Sequence, residues 1–252
     1  LCGQPLTNFS RLPVCESCLA SLVPMRTPAC EICGERVFSS SAALDGMTLC
    51  GPCRHERPPF TRAVAFGSYD GALRELIQLL KYEHVRPAAI RLGELLAAAI
   101  LDLSALFGER PPIAIPVPLH KSKLRQRGFN QSELITRAAL RGVRTPKLEP
   151  LKLRTGLLLR TRPTISQTGL TRPQRLENVR GAFAVTQRDA LKGRDILLLD
   201  DVFTTGTTVS ECTRVLRRAG AERVLVATVA RVFAPEAERI TFSQEQALAT
   251  HA

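Results

Sequence analysis

The chain has 252 residues, 44% of them apolar and 23% charged, with no Trp and two Tyr, which is ordinary for a soluble globular protein with one core of Leu, Val, Ile and Ala and a small appendage. Its formal charge of +12 is concentrated in residues 120–180, where 15 Lys or Arg face three acids (Glu133, Glu149, Glu177), while the rest carries 20 of each sign. The longest apolar stretch, Leu92 to Leu103, is broken by Glu94 and Asp102 and is too short to span a bilayer, so membrane insertion is not expected.

The chain opens at Leu1 rather than Met, so the true N-terminus is expected upstream; no secretory leader is legible, and a reducing cytoplasm is the expected compartment. Seven of the eight cysteines lie in the first 53 residues. Cys30-x-x-Cys33 and Cys50-x-x-Cys53, separated by 16 residues, have the spacing of a four-thiolate Zn²⁺ site. Gly follows Cys33 and Cys50, as a tight knuckle turn requires, and Gly3 follows Cys2 in the same way. Cys2 therefore reads as the second half of a pair whose first member is missing, and with Cys15 and Cys18 it would form another site. Closed cysteine sites of this type are structural.

A charged, proline-bearing linker ends this module near residue 59, which sets expected domains at 1–59 and 60–234 with a polar tail over 235–252. Ala63 to Tyr69 reads as a strand. Leu73, Leu76, Ile77, Leu79 and Leu80 repeat at helical spacing, and a second helix runs through Leu92, Leu95, Leu96 and Ile100. Ile113 to Val117 is a short apolar strand, and Gln131 to Leu140 an amphipathic helix with Asn130 as its cap. Residues 142–180 are basic and poor in periodicity, and read as mostly loop. Asp195 to Leu199 and Arg223 to Val229 read as buried strands around a helix over Thr207 to Ala219. Strands alternating with helices predict an α/β domain with a mainly parallel sheet.

The most informative stretch is Ile196-Leu197-Leu198-Leu199-Asp200-Asp201-Val202-Phe203-Thr204-Thr205-Gly206-Thr207-Thr208. A buried strand runs into two carboxylates at its carboxyl end, where ligands bind in open α/β sheets. A Thr/Gly loop then opens a helix whose unpaired N–H groups suit a phosphate. Carboxylates so placed can accept from sugar hydroxyls or help hold Mg²⁺. A Walker-type G-x-x-x-x-G-K-[ST] loop and a dinucleotide G-x-G-x-x-G are both absent.

This segment closely resembles the 5-phosphoribosyl-1-pyrophosphate (PRPP) signature of type I phosphoribosyltransferases. By that resemblance Asp200 and Asp201 contact the ribose hydroxyls, Asp200 with a base role toward the nucleophile, and Thr204, Thr205, Gly206, Thr207 and Thr208 cradle the 5′-phosphate. The fold also implies a pyrophosphate-binding loop after an early strand, which Leu119, His120 and Lys121 match, with Lys123, Arg125, Arg127, Asn130 and Gln131 close behind. Pro116-Val117-Pro118-Leu119-His120, Arg127-Gly128-Phe129-Asn130-Gln131, then Gln167, Leu170, Arg175, Asn178 and Gly181-Ala182-Phe183 resemble the competence protein F family over residues 1–232. The resemblance implies a type I phosphoribosyltransferase fold behind a double zinc ribbon, with a mobile loop over residues 160–180. There Arg172, Arg175 and Arg180 would neutralise the leaving pyrophosphate.

Two functions follow from this reading. One is an enzyme in which a nitrogen nucleophile displaces pyrophosphate from the Mg²⁺-bound donor. The other is an accessory protein that senses PRPP or a nucleotide and holds single-stranded DNA or the competence machinery. No site for an acceptor base is readable. Arg154, Arg160 and Arg162, remote in sequence from the phosphate loop, are expected to serve DNA rather than the donor.

Overall fold

The computed structural model describes residues 1–3, 11–37, 43–44, 46–142, 151–164 and 171–233. Gln167, Leu170 and the tail expected over 235–252 lie outside the described residues.

Five parallel strands form the central sheet: β3 (Arg62–Ser68), β4 (Ile113–Pro116), β5 (Lys152–Leu153), β8 (Ile196–Phe203) and β9 (Val224–Arg231), in the order β3-β9-β8-β4-β5. The unbroken apolar runs of β8 and β9 follow from burial on both faces. Leu197, Leu199, Leu225 and Ala227 enter one core with α3 (Gly71–Tyr82), α4 (Ala88–Leu103) and α6 (Gln131–Gly142). Ile196, Leu198, Val224 and Val226 enter the other with α8 (Thr207–Arg218). Gly93 lets α4 and α6 touch, since a Cβ there would stand 2.4 Å from that of Ala138.

The cysteine-rich segment holds α1 (Glu16–Ala20), the antiparallel pair β1 (Ala43–Leu44) and β2 (Met47–Thr48), and α2 (Gly51–His55). It is split between the two cores: Val14, Cys18 and Leu22 pack with the first, Cys30, Cys33, Cys50 and Cys53 with the second. Backbone bonds from Met25 to Phe66 (2.9 Å) and from Ala63 to Ile32 (2.6 Å) tie the segment to β3.

Two expectations need correction. The segment 142–180 is not mostly loop where it is described, because it contributes β5, β6 (Leu158–Arg160) and α7 (Arg172–Val179); β6 pairs antiparallel with β7 (Phe183–Val185). Thr171 caps α7 with a full capping box to Gln174, a Thr-x-x-Gln signal that the charge of the region masks. The loop expected through Leu119, His120 and Lys121 ends at His120, where α5 (Lys121–Arg127) starts; His120 caps it by accepting from the Ser122 N–H at 3.3 Å.

Candidate phosphoribosyl site

β8 carries both acids. The strand extends past Leu199 through Phe203, so Asp200 and Asp201 are fixed by the ladder to β9, where Asp200 pairs with Thr228. Three residues far away in sequence converge on them. Ser132 Oγ donates to Asp200 Oδ1 at 2.7 Å, and Gln131 Nε2 donates to Asp201 Oδ1 at 3.2 Å. Lys81, on the last turn of α3, forms an ion pair with Asp201 Oδ2. Asp201 is buried and Lys81 largely so.

The electrostatics divide the two acids. Burial, and then the charge of Asp201, push the Asp200 carboxyl up to about 8. Burial also works against the Asp201 carboxylate, but the Lys81 ammonium beside it outweighs this and holds it below its ordinary value. Lys81 is held above its own ordinary value, because the attraction of Asp201 exceeds the cost of burial. At neutral pH the site thus holds a Lys81–Asp201 ion pair and a proton on Asp200. That proton is available to leave when a cation or an acceptor arrives.

After Phe203 the chain passes through Thr204 and Thr205 to Gly206, whose φ of +75° is left-handed and whose missing Cβ would meet the Phe203 ring at 2.6 Å. Only glycine fits both demands. Gly206 offers α8 no side-chain cap, and Thr205 Oγ1 lies 3.1 Å from Thr207 Oγ1 beside the helix start. Thr204, Thr205, Gly206, Thr207 and Thr208 therefore form one strand-to-helix turn next to the acids.

Leu119, His120 and Lys121 follow β4, the neighbour of β8, and Lys121 is exposed. His120 forms a parallel bridge with Arg160. Arg160, distant in sequence from the phosphate loop, feels the charge of Asp200. Its partly buried guanidinium stacks 5.3 Å from the Phe183 ring. Burial lowers its pKa, against the opposing charge of Asp200 among others. Sequence spacing could not reveal this, because the β6–β7 hairpin brings Arg160 back. Arg162 donates to the Asn178 and Arg180 carbonyls at 3.0 and 2.8 Å. Arg175 is carried by α7; the bonds that converge on the acids come instead from Lys81, Gln131 and Ser132. Of these three, sequence reasoning noted only Gln131, and only for its nearness to a basic stretch.

The sulfurs of Cys30, Cys33, Cys50 and Cys53 all lie within 4.8 Å of one another, each buried, with Cys33 and Cys50 at 3.5 Å. All four are free thiols. Zn–S bonds of roughly 2.3 Å at tetrahedral angles put sulfurs about 3.8 Å apart, so the cluster fits Zn²⁺. Cys2, Cys15 and Cys18 form a second, more exposed group within the same limit. Cys212 is fully buried in the second core, as a small apolar residue.

The sheet, the acids and the Thr/Gly turn define a phosphoribosyltransferase-like domain, and a model of the phosphoribosyl transferase domain matches residues 161–242. The chain is 32% identical over 184 residues to competence protein F of Haemophilus influenzae, covering 72% of this chain and 78% of that one. It is 31% identical to the DNA utilization protein YhgH of Escherichia coli O6:H1, covering 90% and 93% of the two chains. The chain belongs to the competence protein F family. Among solved structures, a hypoxanthine phosphoribosyltransferase from Staphylococcus aureus aligns with a TM-score of 0.32 at 13% identity, over 61% of this chain and 66% of that one. Among the described residues no helix is long and apolar enough to cross a membrane.

Proposed function

We propose that residues 60–234 bind 5-phosphoribosyl-1-pyrophosphate with Mg²⁺ and transfer its phosphoribosyl group to a nitrogen nucleophile, while residues 1–59 form a structural zinc module. The observation that carries this reading is the adjacency of a carboxylate pair to an uncapped, Gly206-opened helix start. The Thr204–Thr208 turn takes the 5′-phosphate and the acids take the ribose hydroxyls. Leu119, His120 and Lys121, with Arg160 beside them, face the pyrophosphate; Arg175 has the same role if α7 closes over the site. Asp200 and Asp201 would help hold Mg²⁺, which would neutralise charge on the pyrophosphate. The nucleophile attacks C1, the C1–oxygen bond to pyrophosphate breaks, and the nitrogen's proton passes to Asp200 once that acid has ionised. The compartment is a reducing cytoplasm.

Calorimetric titration of PRPP with Mg²⁺, followed by a pyrophosphate-release screen over nitrogen nucleophiles, tests the reading. Saturable Mg²⁺-dependent binding is expected, lost when Asp200→Asn is combined with Asp201→Asn. Unchanged affinity in a folded double variant would overturn it.

The second reading is an accessory protein that senses PRPP or a nucleotide and binds single-stranded DNA or a competence partner. The exposed cations Lys121, Lys123 and Arg125 on α5 favour it. Such binding arises from phosphate neutralisation and falls steeply with salt. Because Arg160 feels the charge of Asp200, Lys123 and Arg154 are the better targets for separating DNA binding from donor binding.

A further inference from the structure

We propose that Tyr82, with Arg127 stacked on it, is a shelf for a planar nitrogenous base, placed at the edge of the phosphoribosyl site. The chemical class is a nucleobase, carried either by a mononucleotide or by single-stranded DNA. The proposal rests on the function proposed above and supplies the base-binding element that the sequence does not reveal.

The chain is poor in aromatics, yet Tyr82 is 67% exposed at the end of α3. Its neighbour Lys81 points inward to Asp201. Consecutive helical side chains diverge by about 100°, so one turn of α3 supplies both a buried cation for the ribose acids and an outward aromatic ring. The Arg127 guanidinium lies 5.7 Å from the centre of that ring. It is held there by donating from Nη1 to Gln131 Oε1 at 2.6 Å, and the other end of that buried amide donates to Asp201 at 3.2 Å. A single glutamine thus connects the stack to the acid that faces the ribose.

The segment after the shelf is braced in the same direction. His84 is the one non-glycine residue with positive φ among the described residues, at +58°, and its ring meets Phe129 edge-on at 5.8 Å. Arg86 covers Phe129 at 5.3 Å. A strained conformation persists only where surrounding contacts enforce it, and such residues cluster at ligand sites. Here the contacts pin the α3–α4 connection to Phe129, between Arg127 and Gln131. The result is a rigid aromatic face with a positioned donor fork beside it. Every base has a π-face to stack on tyrosine, and guanidinium N–H groups meet ring nitrogens and carbonyls. PRPP has no base, so it would leave the shelf open.

The test compares three ligands: PRPP with Mg²⁺, adenosine 5′-monophosphate, and a short oligothymidylate. With no Trp and only Tyr69 and Tyr82 in the chain, a Tyr69→Phe background makes Tyr82 the sole strong emitter. Quenching by the monophosphate or the oligonucleotide is expected, with no comparable change on adding PRPP. Tyr82→Leu should weaken the quenching ligand by roughly tenfold, the scale of one lost base stack, and by more than it weakens PRPP. Whichever of the two base-bearing ligands shows this loss identifies the source of the base. If PRPP binds but neither base-bearing ligand quenches Tyr82, or if Tyr82→Leu binds them as tightly as the parent, the shelf is wrong and the PRPP reading stands. If none of the three ligands binds, both fall.

Discussion

Two buried clusters of like ionisable groups are completed in opposite ways. Asp200 and Asp201 meet partners that the chain itself supplies, with Lys81 on one acid, Gln131 and Ser132 as donors, and a proton retained on Asp200. Cys30, Cys33, Cys50 and Cys53 meet Arg231, whose Nη2 lies 3.9 Å from Cys33 Sγ. Arg231 is already engaged by the Cys33 carbonyl at 2.6 Å and Glu35 at 3.0 Å. Desolvating an anion costs several kcal/mol unless it is paired. The acid site can therefore be folded and poised without a ligand, whereas four thiolates need a metal ion. The clusters also touch: the Arg231 guanidinium stacks 4.3 Å from the ring of Phe203, the residue that packs on Gly206. A cysteine cluster with the geometry of a metal site thereby borders the Thr/Gly turn.

The largest break in this comparison is at the thiols. Cys50→Ser should remove one zinc per chain and destabilise the second core, since structural zinc in small fingers contributes on the order of 10 kcal/mol. Metal analysis and thermal melting read both, and full zinc content with unchanged melting would refute the site. Next is Lys81→Met, which leaves Asp201 buried and unpaired at a cost of about 3–5 kcal/mol. Adding Asp201→Asn should recover much of that loss, a coupling that denaturant titration measures. Failure to recover would mean that Lys81 matters through packing alone. Smaller again is Arg231→Met. It forfeits a charged hydrogen bond to a buried carbonyl, about 1.5–3 kcal/mol, and removes the brace on Phe203. Faster amide exchange over Thr204–Thr207 is expected, and exchange confined to the cysteine segment would show that the two regions are not coupled.

Much of this was legible before the structure. The apolar run into Asp200-Asp201 and the Thr-Thr-Gly-Thr-Thr turn announce a strand, a site and a helix start, because all the groups concerned are contiguous. The four-thiolate cluster was legible for the same reason, as two local pairs at a known spacing. Lys81 was not, since its role depends on α3 crossing to the end of β8, and nothing in a helical Leu-Lys-Tyr distinguishes a buried lysine from a solvated one. The electrostatic link between Arg160 and Asp200 was not legible either, because strands as short as β6 leave no periodic trace. Lys121–Arg127 was hidden too: Leu124 is its only large apolar residue, and it is exposed.

The finest prediction concerns the proton on Asp200. Burial, and then Asp201, raise its pKa from an ordinary 3.8 to about 8. Between roughly pH 4 and 8 the folded protein retains a proton that the unfolded chain has released, so Asp200 makes stability fall as pH rises through that window. Asp201 works in the opposite sense: its carboxyl is lowered, so its contribution is present at neutral pH and is lost on acidification. Asp200→Asn keeps an oxygen to accept from Ser132 but has nothing to ionise. Its melting temperature should match the parent near pH 4 and exceed it by about 10 °C or more at pH 8.5, since the shift at about 1.4 kcal/mol per pH unit converts at about 2–4 °C for each kcal/mol. Parallel melting curves across that range would show that Asp200 titrates as an ordinary carboxyl. The same proton must leave when a cation binds, so donor affinity in the parent should tighten as pH rises toward 8.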